Sequence, residues 1–325
     1  MLSHFRAEVA PSGRAVDSCA AMAGNSASWP RLLLPEWQDT LDTLHMWLQI
    51  VGKTRLALAP PENHWWHVVL YVSARGLTTS AIPYASRAFD VEFDFIDHRL
   101  TVRTSDGATR SIALRPQAVA DFYREYTGTL ATLGIDVKIW PVPVEVATPI
   151  PFLEDRRHAS YDADQVRRFF DMLLHANRIL TQFKGRFLGK TSPVHFFWGA
   201  FDLALTRFSG RRAPDAKDAD PMLREAMSHE EMSFGFWPGS GAVAEPAFYA
   251  YVRPEPPSLP ATSVRPATAY YSRELADFIL PYEAVRSLSS PDEAVLDFFQ
   301  SVYDAGADQG RWDRAALDRP PTQWP

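Results

Sequence analysis

A chain of 325 residues, 46% hydrophobic and 22% charged, has the make-up of an ordinary folded protein and is longer than one usual domain. Its formal net charge of -6, with arginines scattered rather than clustered, argues against a general nucleic-acid binder. The one cysteine, Cys19, excludes an internal disulfide and any cysteine-based zinc or redox motif, which fits a cytoplasmic protein, and no apolar run approaches the ~20 residues that span a bilayer.

Residues 1–28 are rich in Ala, Ser and Gly without periodicity and read as a disordered tail; Met22 is an alternative start that would leave no cysteine. After Pro35, the spacing of Trp37, Leu41, Leu44, Leu48 and Val51 predicts a helix over about 36–51. The aromatic and β-branched runs HWWHVVLYVSA, RAFDVEFDFID and RLTVRTSDGATRSIAL predict roughly four or five antiparallel strands over 64–114, with a hairpin turn at Asp106-Gly107. Within them Phe89, Val91, Phe93 and Phe95 alternate with Asp90, Glu92 and Asp94, the pattern of a strand with one solvated face.

Pro116 opens a second helix that Gly134 ends, and VKIWPVPVEV is an extended edge or linker. A long helix is expected from about Tyr161 to Phe187, with Ser160 as its cap. Strands follow at 193–208, 229–237 and 247–253, with loops at 211–222 and 254–268. A last helix runs over about 291–310, started by Ser290 and Pro291.

Gly-Lys-Thr occurs at 52–54 and again at 189–191, each time followed by an aromatic string, His64-Trp65-Trp66 or His195-Phe196-Phe197. This similarity predicts an internal duplication: a first αβ half over 29–150 and a second over 151–325, forming one unit with a pocket where they meet. The expected fold is therefore α+β, two similar halves of antiparallel sheet with helices packed on them. Neither triplet is a phosphate-binding loop, since both lack the first glycine and the strand-to-helix setting.

Polar residues inside these apolar strands mark the candidate chemistry. Read as one strand, 195–206 places Asp202 on the face opposite His195, and a mid-strand aspartate needs a partner such as His67, Arg75, Arg207 or Arg211. A guanidinium fork also suits an anionic ligand. In SHEEMSFGFWPG, His229 and Glu230 are adjacent, and with His195, Asp202 and His158 they form a candidate His/carboxylate set, for acid–base work or for a metal. Ser192 and Ser209 lack the setting of a serine hydrolase nucleophile.

The strings NHWWHVVLYVSARGLTTS, FDFIDH, SPVHFFWGAFDLALTRFSGR and SHEEMSFGFWPG closely resemble an uncharacterised bacterial family, a domain of unknown function numbered 5996, over roughly residues 29–315. The resemblance implies one family-wide unit with the tail outside it. It implies no activity and no residue roles.

The sequence reading is thus an enzyme of small-molecule metabolism with an aromatic-lined pocket for an anionic ligand and no nucleotide cofactor. His67, His195, Asp202, His229 and Glu230 are its catalytic candidates. Tyr71, Arg75, Arg207 and Arg211 contact the ligand, and Trp65, Trp198 and Trp237 wall the pocket. The rivals are a non-catalytic binding or structural protein, and a metal-dependent oxygenase or hydrolase. Neither nucleic acid nor membrane is an expected partner.

Overall fold

Helix α1 (Leu34–Leu58) starts where Pro35 fixes the first turn and Glu36 sits near the positive helix end. The computed structural model describes residues 29–214, 220–239 and 243–320, and in it every α1 residue from Thr43 to Arg55 is buried. A helix buried all round is a central one. It runs past Val51 because its polar residues find partners: Tyr126 donates to Thr54 at 3.1 Å, and Arg55 donates to the His67 carbonyl at 2.8 Å and to the Thr79 carbonyl. The predicted tail 1–28, with Cys19 and Met22, lies outside the described residues.

The first sheet comprises β1 (Tyr71–Val72), β2 (Gly76–Thr78), β3 (Ile82–Tyr84), β4 (Arg87–Asp94), β5 (Arg99–Thr104) and β6 (Thr109–Ala113). They pair antiparallel in the order β1-β2-β4-β5-β6, with β3 also on β4. The hairpin turn at Asp106-Gly107 is present, Gly107 at φ +94. Leu77, Val91, Phe93, Leu100, Val102 and Ile112 face the core. On the opposite face Arg103 pairs with Asp90 and Glu92, and Arg75 pairs with Asp94 at 2.7 Å, so the acidic alternation is a cross-strand ion-pair ladder.

Residues 64–70 depart from the predicted strand. His64 and Trp65 sit in a tight turn at φ +57 and +61, and regular pairing begins only at Tyr71. The Val68 carbonyl accepts from the Trp198 indole at 2.7 Å and the His67 carbonyl from Arg55, which satisfies this backbone without a strand partner.

Helix α2 (Val119–Thr132) packs on α1, and Gly134 follows it at φ +67. No regular element occupies 135–150. Helix α3 (Ala163–Gly185) is capped by Asp162, whose side chain accepts from the Gln165 amide at 3.0 Å; the Ser160 amide instead donates to the Thr43 hydroxyl at 3.1 Å.

The second sheet comprises β7 (His195–Phe197), β8 (Asp202–Arg212), β9 (His229–Trp237), β10 (Ala247–Arg253), β11 (Tyr270–Ser272) and β12 (Asp277–Pro281), in the order β11-β12-β10-β9-β8-β7. The expected single strand 193–208 is a hairpin, turned at 198–201 with Phe201 at φ +62. The turn inverts the side-chain parity: Phe197 pairs with Asp202 and His195 with Ala204, so His195 and Asp202 share a face rather than opposing each other. Short helices α4 (Pro221–Ala226) and α5 (Tyr282–Arg286) join strands, and α6 (Pro291–Gln309) and α7 (Arg314–Leu317) close the chain. Ser290 precedes α6 without a side-chain capping bond.

Leu70 and Phe196 exchange backbone hydrogen bonds of 2.9 and 2.7 Å and thereby join the two sheets, with α3 and α6 packed on the Met232, Phe234 and Phe236 face. The Gly-Lys-Thr triplets are not equivalently placed. Residues 52–54 are helix interior, where a Cβ at Gly52 would strike the Trp198 ring, whereas 189–191 form a loop after α3. Among the described residues no helix is long and apolar enough to cross a membrane.

Candidate functional site

A cavity of about 420 Å³ opens between α1, the 145–150 loop, the 157–158 turn, the 199–201 turn and the end of β9. Helix α1 contributes Gln38, Leu41, Asp42, His45 and Met46, the 3–4 residue spacing of a single helix face. His158, Arg157, Glu145 and Trp237 supply the remaining chemistry.

His158 is held by Asp155, a carboxylate with no solvent exposure. One Asp155 oxygen accepts from the Arg157 and His158 amides, both at 3.1 Å, and the other accepts from His158 Nδ1 at 2.7 Å. This Asx turn is anchored in turn, because the Asp155 and His158 carbonyls accept the first amides of α2 at 3.0 Å. A carboxylate acceptor fixes the proton on Nδ1 and leaves Nε2 as the ring's basic nitrogen, the geometry of a histidine oriented for proton transfer.

Glu145 faces the same cavity from a left-handed backbone position, φ +57. Its neighbour Val144 is clamped by Gln49, whose amide both donates to and accepts from the Val144 backbone at 2.8 Å. A Cβ at position 199 would displace the Glu145 carboxylate, which lies directly against this glycine. His45 Nε2 donates to the Gly199 carbonyl at 2.9 Å and fixes that turn to α1. Burial raises the Glu145 pKa and lowers that of His45. Two non-glycine residues at positive φ, Glu145 and Phe201, thus border one cavity, as strained backbone often does at functional sites.

Asp202 stands behind this wall. Burial pushes its pKa up to about 7, the Tyr249 hydroxyl donates to it, and the charge of Glu145 adds to the rise. Tyr249 reaches Asp202 by crossing Gly235, where a side chain would obstruct the ring.

The other residues singled out from the sequence are dispersed. His195 is wholly buried; neither ring nitrogen meets a side-chain or amide partner, and burial drives its pKa down to about 3. His67 is buried and accepts from the Glu62 amide at 3.2 Å, with Trp65 beside it. Tyr71 lies under the Arg55 guanidinium, and Trp198 is packed against α1. Arg75 and Arg211 are engaged in ion pairs, Arg211 with Glu230 at 2.6 Å. His229 lies elsewhere, 5.5 Å ring to ring from His64, whose Nε2 accepts from Lys190 at 2.9 Å. Arg207 is buried under α3. Of the sequence candidates, His158 and Trp237 line the cavity and Asp202 approaches it. Among the described residues no three His, Cys, Asp or Glu side chains are grouped to hold a metal ion.

Sequence reasoning touched this site only through His158 and Trp237. Asp155 carried a signal, since Asp-x-x-His allows an Asx turn to place the carboxylate on the imidazole three residues on. His45 was hidden in a helical pattern, and Glu145 in a proline-rich stretch without periodicity.

Together these features define an α+β protein with antiparallel sheets, helices packed on them and a polar cavity holding an aspartate-oriented histidine. The chain belongs to the family of unknown function DUF5996, whose model matches residues 29–319. No curated protein and no solved structure matches it.

Proposed function

We propose that the protein is an enzyme that catalyses proton transfer on a small anionic metabolite bound in the α1 cavity. The observation that carries this reading is the buried Asp155 that fixes His158 as a base at the cavity wall. Glu145, with its pKa raised by burial, is the complementary acid on the same cavity. Arg157 lines the cavity, is exposed and forms no ion pair among the described residues, which suits it to a substrate carboxylate or phosphate. Trp237 is the aromatic wall.

In this reading the chain works as a single unit in the cytoplasm, and His195, Glu230, Arg75 and Arg211 brace the fold rather than meet substrate. The test is a thermal-shift screen of anionic metabolites against the wild type, Arg157→Ala and His158→Gln. A metabolite that stabilises the wild type and binds at least tenfold more weakly to Arg157→Ala supports the assignment. Equal binding by Arg157→Ala places the ligand elsewhere.

A further inference from the structure

A second cavity, about 900 Å³, lies between the end of α3 and the segment after α7, lined by Arg186, Arg207, Tyr303, Asp318 and Arg319 among others. Arg207 is 1% exposed and forms no ion pair with a carboxylate among the described residues. A guanidinium carries five N–H donors. Among the described residues Arg207 makes one side-chain hydrogen bond, from Nη2 to the Phe183 carbonyl at the end of α3, and its Nε meets no acceptor. The rings of Phe183, Tyr303 and Phe187 surround it at 3.5, 4.6 and 4.9 Å.

Among the described residues the one carboxylate at this cavity is committed elsewhere: Asp318 accepts from the Tyr303 hydroxyl and pairs with Arg314 at 3.0 Å. A second cation, Arg186, faces the same space; among the described residues its side chain hydrogen-bonds Gln300 alone, at 3.5 Å, and its charge opposes that of Arg207. Burial pushes the Arg207 pKa down to about 9. A helix-capping arginine is satisfied by a carbonyl and has no need of a neighbouring cation or an open cavity. A buried cation facing an apolar space is completed by an anion.

We propose that this second cavity binds a small organic carboxylate, its head on Arg207 and Arg186 and its apolar body among Tyr303 and Pro320. The planar fork of Arg207 matches a carboxylate, the aromatic cage disfavours a fully hydrated ion, and the volume suits a ligand with a hydrocarbon body. The site is separate from the α1 cavity and does not depend on the function proposed for it.

The full-length protein is titrated with benzoate, hexanoate, inorganic phosphate and chloride at constant ionic strength, following the thermal midpoint. Saturable stabilisation by benzoate or hexanoate is expected, with affinity about tenfold weaker in Arg186→Gln, abolished in Arg207→Lys, and unchanged in Arg157→Ala. Arg186→Gln, at an exposed position, keeps the test decisive if Arg207→Lys does not fold. The proposal is overturned if no carboxylate saturates, if phosphate alone stabilises, if Arg186→Gln binds as the wild type does, or if Arg157→Ala removes the response.

Discussion

Replacing Asp202 by asparagine keeps an oxygen acceptor for the Tyr249 hydroxyl and removes the ability to ionise. In the folded protein burial raises this carboxyl from 3.8 to about 7. The folded state therefore favours the protonated acid, and the stability that this preference supplies is fully present below pH 3.8 and lost as pH rises toward about 7. Asparagine suffers no such loss. The gap between the two values corresponds to ~4 kcal/mol, approached at ~1.4 kcal/mol per pH unit. Urea unfolding at pH 4, 5.5 and 8 should show the variant level with the wild type at the lowest pH and increasingly more stable above it. A difference that is constant with pH, or a variant that is less stable at pH 8, would refute the burial argument.

His195 makes the opposite prediction in acid. Its folded pKa of about 3 lies below the ordinary 6.5, so wild-type stability falls as pH drops from about 6.5 toward 3, whereas His195→Leu should lose that slope and match or exceed the wild type at pH 7 in the same assay. Asp155→Asn retains two amide hydrogen bonds but loses the charge that orients His158. It should cost ~1–2 kcal/mol in urea unfolding and lower turnover of any substrate by roughly 100-fold or more. Gly199→Ala drives a methyl into the Glu145 carboxylate, the free end of a flexible side chain that can swing aside, so it should leave the thermal midpoint nearly unchanged while displacing that carboxylate and weakening binding in the α1 cavity, read by thermal shift with the ligand found for the wild type.

Elements with strong periodicity were legible in the sequence: β9 and β10 span 229–237 and 247–253, as their aromatic alternation indicates, and α3 and α6 fall within about two residues of expectation. Where tertiary contacts took over the backbone hydrogen bonds, local reasoning misread the chain. The 64–70 run has every strand-favouring residue, yet Arg55 and Trp198 bind its carbonyls and hold it as a turn. The 198–201 turn was invisible because Trp198-Gly-Ala-Phe201 looks like continued apolar strand, and only the fold brings Gly199 against the Glu145 carboxylate. That missed turn inverted the faces of His195 and Asp202 and drew attention to the strands. The cavity is built from side chains far apart in sequence, His45, Glu145 and His158, which no local spacing can bring together.

Whether His158 acts with Asp155 on a substrate in the α1 cavity is decided by incubating a defined mixture of small anionic metabolites with the wild type and with His158→Gln. Mass spectrometry then follows each metabolite, with both proteins checked for equal thermal midpoints. The wild type should consume a metabolite and form a product, with His158→Gln slower by roughly 100-fold or more. Conversion at the wild-type rate by folded His158→Gln would contradict this role for His158.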